Sequence, residues 1–164
     1  MPASVVTKTF ADGTISLKDG TGTPVVFTSA FSQGDFTASG LEPDQRAATA
    51  YEARGVLKSI RLGARSYPTG SFSVMMTDVS DAGDDTLVDF VLKQNGYSGN
   101  ISTTAAAGDA YTVTITLTIE GTDHGDAADH AIELADCRCT VDVAEGEPNT
   151  VTVSFTCYGS VSMT

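Results

Sequence analysis

The sequence has no tryptophan, and aromatic residues make up only 7% of its 164 residues. Because surfaces that bind sugars usually rely on aromatic platforms, this shortage counts against a carbohydrate-binding domain. Basic residues are also scarce: nine lysines and arginines stand against 21 acidic residues, giving a formal net charge of −12. Affinity for phosphates comes largely from Lys and Arg, so this balance excludes a free nucleic-acid-binding protein.

Long apolar runs are missing too. A membrane-spanning helix needs about 18 consecutive apolar residues, and the first residues lack the basic and apolar regions of a secretion signal. We therefore expect that the protein does not insert into a membrane. We also expect it to assemble inside a cell. The three cysteines are an odd number, which disfavours a complete disulfide framework and fits a reducing cytoplasm.

Catalytic and metal-binding motifs are likewise absent. There is no GxSxG elbow, P-loop or dinucleotide fingerprint, and the carboxylates are scattered over turns. His124 and His130 lack the spacing that would place both on one helical face, so their segment is interpreted as a solvated loop. The sequence predicts a protein that is not an enzyme and has no catalytic residue, metal site or cofactor.

What the sequence does contain is a β pattern, with Thr, Val, Ser and Gly recurring in alternating segments. In residues 110–120, for example, Val113, Ile115, Leu117 and Ile119 share one face. Predicted strands are 13–18, 23–37, 54–63, 69–78, 110–120, 131–143 and 149–162. One helix is predicted at about 85–94, with Thr86 among its capping residues and Asn95-Gly96 as its stop.

These elements predict a single mainly β domain over residues 1–164: a β-sandwich or partial barrel of about seven strands with one flanking helix. Cys137 and Cys139 fall on the apolar side of one strand, and Cys157 on the apolar side of the next. We interpret them as buried small hydrophobes, with a disulfide from Cys157 as the alternative. A polar loop is predicted at about 40–53, longer than a hairpin needs and therefore of functional interest.

The order of segments resembles siphophage major tail tube proteins. The resemblance is carried by residues 12–22 (DGTISLKDGTG), by 33–37 (QGDFT) after an apolar strand, and then by a long loop, a strand from Ala53-Arg54, the lone helix and terminal strands. It spans most of the chain. Membership of that family would imply six copies closing into a ring, inner sheets joining as a continuous barrel, and rings stacking into a tube.

The resemblance gives the charge a mechanical interpretation. An acidic lumen repels DNA and lets it slide from capsid to host without specific binding; the predicted lumen-lining residues are Asp136, Arg138, Thr140 and Asp142. We further expect the 40–53 loop to contact the next ring. The predicted inter-ring residues are Leu41, Glu42, Asp44, Arg46, Tyr51, Glu52 and Arg54.

On this interpretation the protein is a structural part of the virion, assembled in the host cytoplasm. Its partners would be further copies of itself and other tail proteins such as the tape measure and the tail terminator. Two alternatives remain open. One is a tail terminator or connector that forms a single ring, and the other is an immunoglobulin-like or carbohydrate-binding β-sandwich.

Overall fold

The computed structural model describes residues 13–22, 26–30, 36–42, 46–75, 86–104, 110–121 and 127–164. This part of the chain contains one α-helix, α1 (Leu87–Leu92), and ten strands. The strands are β1 (Thr14–Lys18), β2 (Val26–Ala30), β3 (Thr37–Ser39), β4 (Arg46–Ala53), β5 (Val56–Arg65), β6 (Thr69–Met75), β7 (Val113–Ile119), β8 (His130–Ala144), β9 (Thr150–Cys157) and β10 (Val161–Met163).

Eight strands form one antiparallel sheet in the order β2-β1-β7-β8-β9-β6-β3, with β10 beside β8. The sheet curls, and six strands make a half-barrel. The fold is thus mainly β, as predicted, with α1 against β8. The remaining two strands, β4 and β5, form a separate sheet of two strands within the described part of the chain.

The core follows from alternation along the strands. In β9 every second residue is buried while the residues between are partly exposed, because successive side chains point to opposite faces of a sheet. Strands β1, β6, β7 and β8 add their own inward residues, and α1 covers them. The core residues are Ile15, Leu17, Phe72, Val74, Leu87, Phe90, Val91, Val113, Ile115, Leu117, Leu134, Cys137, Val151, Val153, Phe155 and Cys157.

Helix α1 is fixed by its ends. The Thr86 hydroxyl accepts a hydrogen bond from the Asp89 backbone N–H at 3.2 Å, and the Asp89 carboxylate accepts one from the Thr86 backbone N–H at 3.2 Å. This reciprocal pair is a capping box. The helix ends before the predicted Asn95-Gly96 stop, because Lys93 already adopts the left-handed conformation with φ of 56°.

The predicted loop at about 40–53 is wrong in its second half, since residues 46–53 form β4. The strand predicted at 54–63 is β5, which begins at Val56, two residues after the predicted start. Arg54 and Gly55 have φ of 53° and 75° and form the turn from β4 to β5. Positive φ at both central residues is typical of a tight hairpin turn. Of the other predicted strands, 149–162 is divided into β9 and β10, and the described residues of 23–37 contain β2 and the start of β3.

Strand β8 changes partner halfway along. Its first part pairs with β7, and its second part, from Cys137, pairs with β9. At the change the register with β7 shifts between Val113 and Ile115, and Asp136 has φ of 54°. These are the marks of a β-bulge, which bends a strand and increases its twist. The bulge forms the corner at which the sheet turns.

Candidate functional site

One face of the sheet formed by β3, β6, β9 and the second part of β8 is covered by hydroxyl groups. The register sets Arg138 opposite Thr156, Thr156 opposite Thr69, and Thr69 opposite Ser39. The next row repeats this alignment over all four strands, and the third row repeats it over β8, β9 and β6. We call this surface the hydroxyl face; its residues are Thr37, Ser39, Thr69, Ser71, Ser73, Arg138, Thr140, Asp142, Thr152, Ser154 and Thr156.

Hydrogen bonds between side chains link neighbouring strands of the hydroxyl face. Ser73 and Thr152 share a hydrogen bond of 2.9 Å, and Thr37 and Ser71 one of 3.2 Å. The face borders an open groove of about 570 Å³. Because most of its side chains are neutral and hydrogen-bond to one another, the face presents a polar surface with little net charge to whatever lies in front of it.

Three of the four predicted lumen-lining residues lie together on the hydroxyl face: Arg138, Thr140 and Asp142. Asp136 does not join them, because the bulge breaks the alternation that the sequence implied. Its carboxylate accepts a hydrogen bond of 2.8 Å from the Thr103 hydroxyl and is partly buried. Asp136 therefore fixes the corner of the sheet.

Among the strands that the structure describes, the four-stranded region has two open edges. Strand β3 ends the strand order on one side. On the other, within the described residues, β8 beyond Cys137 pairs with β9 alone. The 3.1 Å hydrogen bond from the Tyr158 N–H to the Asp136 carbonyl makes Cys137 and Cys157 a non-hydrogen-bonded pair. It follows that the backbone groups of Cys139, Val141 and Val143 point away from β9 along this open edge.

Strands β4 and β5 form a second surface, which we call the arm (residues 46–65). It extends the β3–β6 pairing outward, because β3 precedes β4 in the chain and β6 follows β5. Every residue of both strands is exposed. An isolated two-stranded hairpin is only marginally stable in water, so a hairpin exposed on both faces is the form expected of a segment that binds a partner.

The two faces of the arm differ. Residues opposite each other in an antiparallel pair project to the same side, so Ile60 and Leu62 lie with small alanines on one face. Their side chains are 59% and 48% exposed. On the other face, the Arg61 guanidinium lies 5.8 Å from the centre of the Tyr51 ring. The arm thus presents Ile60 and Leu62 on one face and Arg61 with Tyr51 on the other.

The predicted inter-ring residues are partly gathered on this arm. Arg46, Tyr51 and Glu52 lie on β4 and Arg54 in the turn at the tip. Leu41 and Glu42 are exposed just after β3, and Asp44 lies outside the described residues.

Sequence reasoning missed the apolar residues of β5, which carry the apolar face of the arm. A signal for them was present. Ile60 and Leu62 alternate with Ser59, Arg61 and Gly63 shortly after Arg54-Gly55, a pair that can form a tight turn. Interpreting residues 40–53 as a loop removed the strand that β5 pairs with, and with it the hairpin.

The titratable groups of the interior are structural. Cys137 and Cys157 are fully buried free thiols, as the apolar-side interpretation predicted, whereas Cys139 is partly exposed. The hydrogen bond between the Cys137 and Cys157 thiols, together with burial, raises the pKa of Cys137. Burial also raises the pKa of Tyr111 to about 12, although a hydrogen bond from Asn100 opposes this shift. Such groups remain protonated at neutral pH.

Among the described residues, no three His, Cys, Asp or Glu side chains come together as a set that could hold a metal ion. His130 is exposed at the start of β8, and His124 lies outside the described part. In the same part of the chain, no helix has both the length and the apolar character needed to cross a membrane.

Neither a protein-family model nor a curated protein matches this sequence. Solved structures do match its fold. The sheath/tube terminator of the extracellular contractile injection system PVC, in its extended state, aligns over 100% of this chain and 97% of its own, with a TM-score of 0.56 and 12% identity. The tube-terminating cap of the anti-feeding prophage aligns over 100% and 94%, with a TM-score of 0.57 and 11% identity.

A third match is a chain of the anti-feeding prophage baseplate structure, solved with six-fold symmetry. It aligns over 100% of this chain and 97% of its own, with a TM-score of 0.51 and 9% identity. At these identities the comparisons establish a shared fold.

Proposed function

We propose that this chain is a structural subunit of a phage tail or phage-tail-like particle, in which copies form a ring that ends the tube. The observation that carries the proposal is the end-to-end match with two tube-terminating proteins. We infer that its role is assembly and not catalysis.

The open edges support a ring. Unpaired strand edges invite pairing with another chain, and here one edge lies at β3 and the other at the second part of β8. The two edges bound opposite sides of the same four-stranded region, so pairing between copies would be head to tail. A contact between two different surfaces closes into a ring when the rotation per copy allows it. Six copies are proposed by likeness to the tail tube family.

The hydroxyl face would then line the lumen. In a closed ring, every copy would present its neutral hydroxyls, with Arg138 as the one basic side chain of that face. A lumen wall with few Lys or Arg side chains makes few contacts to DNA phosphates, so it attracts the duplex only weakly. DNA would therefore pass without being held.

A tube subunit is the second candidate, and the arm is the feature that favours it. A ring that only ends a tube needs one axial neighbour, whereas a tube ring needs one on each side. An exposed arm of ten-residue and eight-residue strands would suit the repeated contact between rings. In either case the partners are other tail proteins and the site of action is the particle, assembled in the host cytoplasm.

Blocking one edge tests ring closure. The Val143 side chain is 57% exposed and its N–H points along the open edge of β8. Val143→Pro removes that donor without touching the β9 pairing, and proline is tolerated on edge strands. We expect Val143→Pro to abolish rings seen by negative-stain microscopy, while Val143→Ala, which keeps the N–H, preserves them.

The images also separate the two candidates. Isolated rings of the wild-type chain support a terminator, and long hollow tubes support a tube subunit. A wild-type chain that remains a monomer at high concentration would overturn both. Rings of Val143→Pro as abundant as those of the wild type would show that this edge takes no part in closure.

A further inference from the structure

Charge is divided unevenly between the arm and the rest of the molecule. The arm carries five basic residues and one acidic residue, a net charge of +4, although it is only residues 46–65. The other residues carry four basic and twenty acidic groups, a net charge of −16. Five of the nine cations in the chain thus lie on one exposed hairpin. The basic residues of the arm are Arg46, Arg54, Lys58, Arg61 and Arg65.

A complementary surface lies at the far end of the same sheet. The end of β8 and the turn that leads to β9 (together residues 142–149), which we call the acidic turn, contain Asp142, Glu145 and Glu147 and no basic residue. All its residues are exposed. Exposed apolar side chains accompany the carboxylates there, with Val143 57% and Met75 44% exposed.

Strand β6 shows that the two surfaces are at opposite ends. The arm enters β6 at Thr69, whereas Met75, at the other end, pairs with Thr150 beside the acidic turn. Seven residues of extended chain separate the ends by about 20 Å. The arm of one molecule therefore points away from its own acidic turn, and a second molecule is needed to bring the two together.

We propose that the arm of one copy docks on the acidic turn of a second copy, joining copies head to tail along the strand direction of the sheet. This inference rests on the proposed function, and within it on the tube-subunit candidate, because a contact along the strands repeats from copy to copy. It is distinct from edge pairing, which joins copies across the strands. The cations of the arm meet the carboxylates of the acidic turn, and Ile60 and Leu62 cover the exposed Met75, which lies on the same face of the sheet as Asp142.

Apolar contact and opposite charge act together in such an interface. The apolar side chains provide the area removed from water, while the charges fix which surface is chosen and speed the encounter. A sheet face that is exposed in the single molecule is thereby covered. The uneven distribution of charge also disfavours arm-to-arm contact, since two arms of net +4 repel each other.

Charge reversal tests the contact. The arm variant Lys58→Glu with Arg61→Glu and the turn variant Glu145→Lys with Glu147→Lys are each compared with the wild type by sedimentation velocity at low and high salt. We expect assembly to weaken about tenfold or more in each, because like charges face each other across the interface. A chain that carries both pairs of changes has complementary charges again and should regain assembly.

Lys18→Glu with Lys93→Glu is the matched control. It changes the net charge by the same amount, but both residues lie outside the arm and are exposed. We expect this variant to assemble like the wild type. Raising the salt from about 0.01 M to about 1 M shortens the screening length roughly tenfold and should weaken the wild type, leaving the arm variant little changed.

Several results would overturn the inference. The inference is wrong if the arm variant sediments like the wild type. Equal losses of assembly in the arm and control variants would show that net charge alone is responsible. A basic arm could instead bind duplex DNA. If the arm variant loses DNA binding and keeps its self-assembly, the arm binds nucleic acid and not a second copy. In these cases wild-type rings in the microscope leave the proposed function standing, whereas a monomeric wild type removes both.

Discussion

Gly70→Ala should detach the edge strand β3 while leaving the rest of the domain folded. Gly70 lies in β6 between Ala38 of β3 and Phe155 of β9. A Cβ built at this position would overlap the Thr37 backbone oxygen and lie 2.5 Å from the Phe155 ring. Neither neighbour can easily move, because one is backbone and the other is a buried ring of the core.

The expected cost follows from these contacts. Adding a methyl group to a well-packed site costs about 1–3 kcal/mol, and each β3 hydrogen bond that is lost costs about 1 kcal/mol more. We therefore expect the free energy of unfolding to fall by about 2–4 kcal/mol. Since small domains are stable by about 5–15 kcal/mol, the variant should remain folded.

Urea unfolding followed by circular dichroism measures this change, and hydrogen exchange locates it. We expect the amides of residues 37–39 to lose protection while those of β7 keep it. Gly99→Ala is the control, because a Cβ at Gly99 meets no atom within 4 Å; its stability should lie within about 0.5 kcal/mol of the wild type. If Gly70→Ala is as stable as this control, the close approach of β3 to β6 is not as described.

Two further predictions concern the helix and the interior. Thr86→Ala removes the hydroxyl that caps α1 and should lower the free energy of unfolding by about 1 kcal/mol, measured by urea unfolding, whereas Thr86→Ser should preserve most of it; equal losses in both variants would contradict the capping role. The pKa of Tyr111 is raised to about 12, so above its ordinary value of 10 the unfolded chain releases this proton first and stability falls as the pH rises from 10 to 12. Tyr111→Phe should make thermal unfolding temperatures fall less steeply over that range, and an identical slope in both proteins would refute the assignment.

Much of the fold could be predicted from local patterns. The alternation of Val113, Ile115 and Leu117 identified β7 and its buried face, because the two-residue period of a strand is independent of its partners. Thr86 identified the start of α1, since capping is a contact within one turn. The apolar phase of Cys137 and Cys157 placed both thiols in the core. The acidic composition is likewise a property of the sequence alone.

The candidate surfaces depended on contacts between distant residues. Residues 46–53 contain alanines and charges that resemble a loop, and they form a strand only because β5 returns alongside them. Asp136 follows the alternation of β8 in the sequence, yet the bulge at the corner removes it from the hydroxyl face. Local propensity cannot foresee either result, since a strand partner and a bulge are fixed by packing across the sheet.

By itself, the sequence determined a mainly β domain, the face each core strand buries, the capped helix and the excess of negative charge. The tertiary structure alone decided that residues of four strands would form one hydroxyl face, and that the basic arm and the acidic turn would lie at opposite ends of the sheet. The physical reason is the sequence separation over which each interaction acts. Periodicity and capping act over a few residues, whereas strand order and register join residues as far apart as Ser73 and Thr152.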